Sequence, residues 1–107
     1  MDVNSLTHGD TEVIRLSGRF IYSAHQEFLV AVDRAVGDPA VKRLHVDFGA
    51  VDGIDCSALG LLLVSRDVTR KVGKPISLGN ATGIVKRMLV AAKFEKLFVI
   101  NRNLEST

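Results

Sequence analysis

Short strand-like runs alternate with longer helical segments along this chain. Leu44, Val46 and Phe48 are separated by single polar residues, which is the period of two of a β-strand. Residues 24–35 and 58–72 instead repeat their apolar side chains at helical spacing. Such alternation predicts an α/β fold, in which a mixed sheet is connected by right-handed crossover helices.

The first third of the chain predicts a β-hairpin and a helix. Residues 13–16 form a β-prone run, and the segment before the turn at residues 8–10 supplies its partner strand. Ser23 and Gln26 have the spacing of a capping box, so helix one is expected to begin there and to end near Val36.

The middle of the chain predicts a strand, a turn and a second helix. The strand covers residues 44–48 and directs His45 toward a more polar surface, and a turn follows over residues 49–53. Asp55 stands at the N-cap position of helix two, and Gly60 is expected where that helix approaches the sheet closely. The apolar stripe predicted for helix two consists of Ala58, Leu59, Leu62, Leu63 and Val72.

The last third predicts two further strands around a third helix. The strands are expected over residues 75–78 and 97–100, and Thr82 is expected to cap the helix between them. The full order is ββαβαβαβ, with about five strands and three main helices. The stripe predicted to be buried in helix three consists of Ile84, Val85, Met88, Leu89 and Ala92.

The length limits this chain to one domain. Its 107 residues, 47% of them hydrophobic, predict a single domain over residues 1–107, with a core at about 10–101 and a frayed tail at 102–107. No apolar run approaches the ~20 residues of a membrane span, and the N-terminus lacks the pattern of a secretion signal. We therefore expect a cytoplasmic protein without direct membrane insertion.

The net charge of +2 hides a difference between the two halves of the chain. Residues 1–55 hold 5 Lys/Arg and 9 Asp/Glu, whereas residues 56–107 hold 9 and 3. The basic residues occur singly or in pairs, with no aromatic residues interleaved among them as a stacking platform. The pattern does not indicate nucleic acid as a partner.

Three segments resemble a known family. Residues 54–60, Ile-Asp-Cys-Ser-Ala-Leu-Gly, follow a hydrophobic strand, open a helix, and look like the Asp-Ser-Ser-Gly-Leu-Gly signature of STAS-domain anti-sigma factor antagonists. Residues 18–20 are similar to the family's Gly-x-Leu/Phe element, and residues 82–88 resemble its Ser-Pro-x-Val-Lys-Arg-Leu segment. The resemblance covers roughly residues 10–101.

The resemblance implies a non-enzymatic regulator without a cofactor. Such an antagonist binds an anti-sigma factor that is also a serine kinase, releases the sigma factor, is phosphorylated by that kinase, and is reset by a protein phosphatase. The residues that the resemblance places on the partner-binding surface are Ile21, Tyr22, Ser23, Asp52, Gly53, Asp55, Cys56, Ser57 and Ala58.

Two positions depart from the family pattern. The usual phosphoacceptor position holds Cys56, with Ser57 beside it, and Ile21 replaces an aspartate that is common in the family. Two interpretations stay open. Either Ser57 has become the acceptor, or this member is locked in its binding form.

A phosphate at the start of helix two is expected to lie near Asp47, Asp52 and Asp55 and to repel an acidic partner surface. The same three carboxylates could also be a metal or acid/base cluster, although capping and turn formation explain Asp55 and Asp52 more simply.

Two other classes of function stay open. Stand-alone STAS domains also resemble the small cytoplasmic subunit of a lipid-transport ABC complex. The second of these classes is a small-molecule binder or a cysteine enzyme that uses Cys56 as its nucleophile.

Overall fold

The computed structural model describes residues 2–21, 25–94 and 99–101. No helix in these three ranges is both long enough and apolar enough to cross a membrane. The elements are β1 (Asp2–His8), β2 (Thr11–Phe20), α1 (His25–Gly37), β3 (Arg43–Ile54), α2 (Cys56–Lys71), β4 (Ile76–Gly79), α3 (Gly83–Ala91) and β5 (Val99–Asn101).

The predicted fold class and element order are confirmed. One sheet has the order β1-β2-β3-β4-β5, in which β1 pairs antiparallel with β2 and the other neighbours pair in parallel. Thr82 is the N-cap of α3 as predicted, although its side chain makes no capping hydrogen bond. Leu97, the tail at 102–107 and Ser23 of the predicted capping box lie outside the described residues.

The turn predicted over residues 49–53 is wrong, because β3 continues to Ile54. The second half of β3 pairs with the second half of β2, which also extends beyond the β-prone run predicted at residues 13–16. The register shifts from Gly18 opposite Val51 to the next residue of β2 opposite Gly53. Asp52 is therefore the extra residue of a β-bulge rather than a turn former.

The prediction that His45 faces a more polar surface is also wrong. The residue is only 1% exposed, and the register places Val13 of β2 and Ser77 of β4 on either side of it. Its Nδ1 lies 2.7 Å from the Oγ of Ser77. A histidine in an inner strand is flanked by side chains from both neighbouring strands, so alternation along its own strand does not determine its exposure.

The helical stripes face the core in a slightly different phase from the prediction. In α2, Leu61 is buried, whereas Leu63 and the C-cap residue Val72 are exposed. In α3, Ile84 is exposed. An apolar run that continues all the way round a helix cannot be buried on every side, and the neighbouring elements decide which residues face the core.

A lysine from another part of the chain caps the C-terminus of α1. The Nζ of Lys74 donates to the carbonyl oxygens of Ala35, Val36 and Asp38 at 3.0, 2.8 and 2.8 Å. These carbonyls lie at the end of α1, where the helix has no backbone N–H groups left for them. The positive charge also interacts favourably with the negative end of the helix dipole.

We expect Lys74→Met to lower the free energy of unfolding by about 1–2 kcal/mol, because three carbonyls lose a charged donor. Chemical denaturation measures this difference. Lys71→Met, at an exposed position at the end of α2, is the matched control and should change stability by less than about 0.5 kcal/mol. Equal effects of the two substitutions would contradict the capping role of Lys74.

Candidate functional site

The ends of β2 and β3 bring two of the sequence motifs together. Phe20 lies opposite Ile54 in the parallel register, and the backbone N–H of Asp55 donates to the carbonyl oxygen of Phe20 at 3.3 Å. The last residue of β2 is thus bonded to the residue directly before α2. Ile21, directly after β2, is half-buried beside this junction.

Asp55 holds the first turn of α2 in place. Its backbone is extended, with φ −113° and ψ 174°, and its Oδ1 accepts a hydrogen bond from the N–H of Ala58 at 2.8 Å. Its carbonyl oxygen accepts from the N–H of Leu59 at 3.2 Å. The predicted N-cap is therefore confirmed.

Cys56 and Ser57 are both exposed in the first turn of α2, and the thiol of Cys56 is free. Ala58 is buried, so its side chain belongs to the core rather than to the exposed surface. The hydroxyl of Ser57 can accept a substituent without displacing core side chains.

One side of α2 forms an exposed strip without charge, which we call the α2 face. It consists of Cys56, Gly60, Leu63 and Val64, spaced so that they lie on one side of the helix, with Ser57 at its border. Residues 56–65 contain no Lys, Arg, Asp or Glu. The exposed side of a helix normally carries charged or polar residues, so an uncharged strip about 12 Å long is unusual on a helix that faces water only.

The prediction that Gly60 allows α2 to approach the sheet is wrong. A Cβ atom built at Gly60 would have no atom within 4 Å, because this residue points away from the core. The fold therefore does not require glycine at this position.

The run of four apolar residues at 61–64 was the sequence signal for the α2 face, because a helix cannot bury four consecutive side chains on one side.

Of the other residues predicted on the partner-binding surface, the structure describes Asp52 and Gly53. Asp52 is exposed at the bulge, and Gly53 lies beneath Arg19, whose Nε would be 3.7 Å from a Cβ atom at Gly53. Sequence reasoning missed Arg19, which the parallel register alone brings beside the start of α2. Tyr22 and Ser23 lie outside the described residues.

Asp47 does not join the carboxylates near α2. Its Oδ1 accepts from the N–H of Gly49 at 2.8 Å and from Nδ2 of Asn80 at 3.2 Å, and its Oδ2 lies 3.5 Å from Nε of Arg15. Asp47 lies seven positions before Ile54 in β3, a span of roughly 23 Å. Asp47 therefore bonds to Arg15 of β2 and to Asn80 directly after β4. No group of three His, Cys, Asp or Glu in the described ranges could hold a metal ion.

Comparisons with known proteins agree on one family. The family model for the STAS domain matches residues 2–107. A STAS-domain containing protein from Pseudomonas aeruginosa is 36% identical over 103 residues, covering 94% of this chain and all of that protein.

Solved structures show the same fold at low sequence identity. A putative anti-sigma factor antagonist from Thermotoga maritima has a TM-score of 0.86 at 14% identity, covering 97% of this chain and 89% of the other. The Bacillus cell fate determinant SpoIIAA in its phosphorylated form has a TM-score of 0.74 at 19% identity, covering 98% and 95%. A sulfate transporter family protein from Wolinella succinogenes has a TM-score of 0.79 at 14% identity, covering 94% and 83%.

We expect Gly60→Ala to raise the free energy of unfolding by about 0.5–1 kcal/mol, because alanine favours the helix and meets no neighbouring atom. Thermal and chemical denaturation measure the change. Gly73→Ala is the control in the opposite direction, because Gly73 has a φ of +72° after the end of α2 and alanine would be strained there. A loss of stability in Gly60→Ala would show that this glycine has a structural role.

Proposed function

Because this chain belongs to the STAS-domain family, we propose that it is a protein-binding regulator that acts as an anti-sigma factor antagonist in the cytoplasm. It docks onto a serine-kinase anti-sigma factor and thereby releases a sigma factor, and a phosphatase reverses its phosphorylation. It performs no catalysis and needs no cofactor in this role.

The α2 face is the observation on which the proposal mainly rests. It combines exposed apolar side chains with an uncharged helix surface, and Gly60 leaves open space at its centre. A partner backbone or aromatic side chain can approach closely over a glycine, and burial of Leu63 and Val64 would then contribute much of the affinity. Asp52 and Arg19 provide exposed charges near one end of this surface.

Ser57 is the proposed phosphoacceptor. A phosphate in the first turn of a helix is favoured by the positive end of the helix dipole, and the cap from Asp55 to the N–H of Ala58 does not involve Ser57. Phosphorylation would therefore add about −1.5 to −2 charges beside the α2 face while the domain stays folded. The added charge would repel an acidic partner surface, and against an apolar one the phosphate would have to be desolvated.

The decisive experiment is a pull-down from native cell extract with this protein as bait, with and without ATP. Mass spectrometry would identify the captured proteins and any phosphate on the bait. Capture of a serine kinase of the anti-sigma type together with phosphate on Ser57 would support the full proposal. Capture of that kinase with an unmodified bait would indicate a locked antagonist, and capture of an ABC transporter ATPase without a kinase would replace the proposal by the transport alternative.

Ser57→Asp is expected to weaken binding of the captured kinase by roughly tenfold or more, because it places a negative charge beside the α2 face. Isothermal titration calorimetry measures the affinity. The control Ser57→Ala removes the hydroxyl without adding charge and should bind within about threefold of the unmodified protein. Equal affinity of Ser57→Asp and Ser57→Ala would argue against this docking surface.

Val64→Lys should also weaken kinase binding by roughly tenfold or more, because a charge would have to be desolvated within the apolar strip. Val90→Lys in α3 is the matched control, because Val90 is 48% exposed and Val64 is 51% exposed, yet Val90 lies on another helix. Circular dichroism would confirm that both variants fold. A larger effect at Val90 than at Val64 would move the docking surface to α3.

A further inference from the structure

β1 is an edge strand without the usual protection against pairing. Among the described residues it pairs with β2 on one side and with no strand on the other. All of its residues except the half-buried Val3 are exposed, and it contains neither Lys nor Pro. Its seven pairs with β2 have no register shift, so no bulge twists the edge away. Natural edge strands commonly use such features to avoid association.

The turn that follows β1 determines which backbone groups face outward. Gly9 and Asp10 form a two-residue turn, with φ +66° at Gly9, between the paired residues His8 and Thr11. A two-residue turn closes on a hydrogen-bonded pair, here His8 and Thr11. Every second residue of β1 therefore bonds to β2, and the residues between them direct their N–H and C=O groups outward. The outward N–H and C=O groups are therefore those of Val3, Ser5 and Thr7.

We propose that β1 pairs with β1 of a second copy of this chain, antiparallel and with Ser5 on the two-fold axis. In this register Ser5 lies opposite Ser5 of the second copy, and Val3 lies opposite Thr7. Every outward backbone group then finds a partner, giving on the order of six hydrogen bonds. A shift of two residues in either direction leaves outward groups unpaired.

The charges around the edge are self-complementary in this register. Asp2 lies opposite His8 of the second copy, at both ends of the paired strands. Beside β1, a groove of about 410 Å³ is lined by strand residues 3–5 and by α1 residues that include Glu27, Val30 and Arg34. Glu27 and Arg34 lie about one turn on either side of Val30, so a two-fold axis near Val30 brings each Glu27 toward an Arg34.

Two exposed apolar side chains would be covered by the same contact. Leu6 on β1 and Val30 on α1 are 48% and 50% exposed. Leu6 would lie opposite Asn4 of the second copy and diagonal to the second Leu6, within reach across paired strands. The contact joins the two sheets into one continuous sheet, and it uses residues of β1 and α1 but none of the α2 face. The inference is therefore independent of the proposed function.

Disulfide trapping tests the register directly. In a Cys56→Ser background, Ser5→Cys should form a cross-linked dimer in a glutathione redox buffer, because the two residues face each other at the Cα separation of a paired-strand contact. Thr7→Cys is the matched control. The two copies of Thr7 would be four residues apart along the pair, roughly 13 Å, which is too far for a disulfide.

Charge reversal tests the interface without a covalent bond. Glu27→Arg and Arg34→Glu should each raise the dimer dissociation constant by roughly tenfold, because each places like charges together twice across the axis. The double variant should restore the affinity of the unmodified chain, which unfolding could not explain. Sedimentation velocity over a range of concentrations measures all four proteins. A monomer at every concentration, or equal cross-linking at residues 5 and 7, would overturn the proposal.

Discussion

The parallel pairing of β2 with β3 is the contact on which the rest of this structure depends. These are the two longest strands, and they carry the fully buried side chains of Ile14, Leu16 and Val46. Phe20 at the end of β2 packs against Phe28 of α1 and Phe48 of β3, with ring centroids 5.2 and 6.1 Å apart. Because the two strands end together, the same pairing fixes the position at which α2 begins.

The two sides of α2 differ in what they contact. Ala58, Leu61 and Leu62 pack into the core, and the cap from Asp55 completes the first turn. The opposite side does not pack into the core, as the open space around Gly60 shows. A surface that the fold does not need can be occupied by a partner, or altered by a phosphate on Ser57, at little cost to stability.

The α2 face and the β1 edge could be used at the same time. The proposed dimer contact uses residues of β1 and α1 and none of the α2 face, so a dimer formed through β1 would present two copies of the α2 face. Two linked docking surfaces would raise the apparent affinity for a partner that is itself dimeric, provided that the geometry allows both to bind. The strength of regulation would then depend on the concentration of the protein as well as on phosphorylation.

The sequence by itself determined the element order, the fold class and the start of α2. These follow from local signals, namely the two periodicities of apolar residues and the N-cap Asp55. Local signals also placed Cys56 and Ser57 in the first turn of α2.

Only the tertiary structure decided what depends on contacts between distant segments. The register of β2 against β3 turned a predicted turn into strand, placed Asp52 at a bulge, and brought Arg19 over Gly53. The neighbouring strands buried His45, and the packing of α2 left Gly60 open to solvent. The physical reason is that burial and register depend on the residues across the sheet or helix interface, which no periodicity along one segment contains.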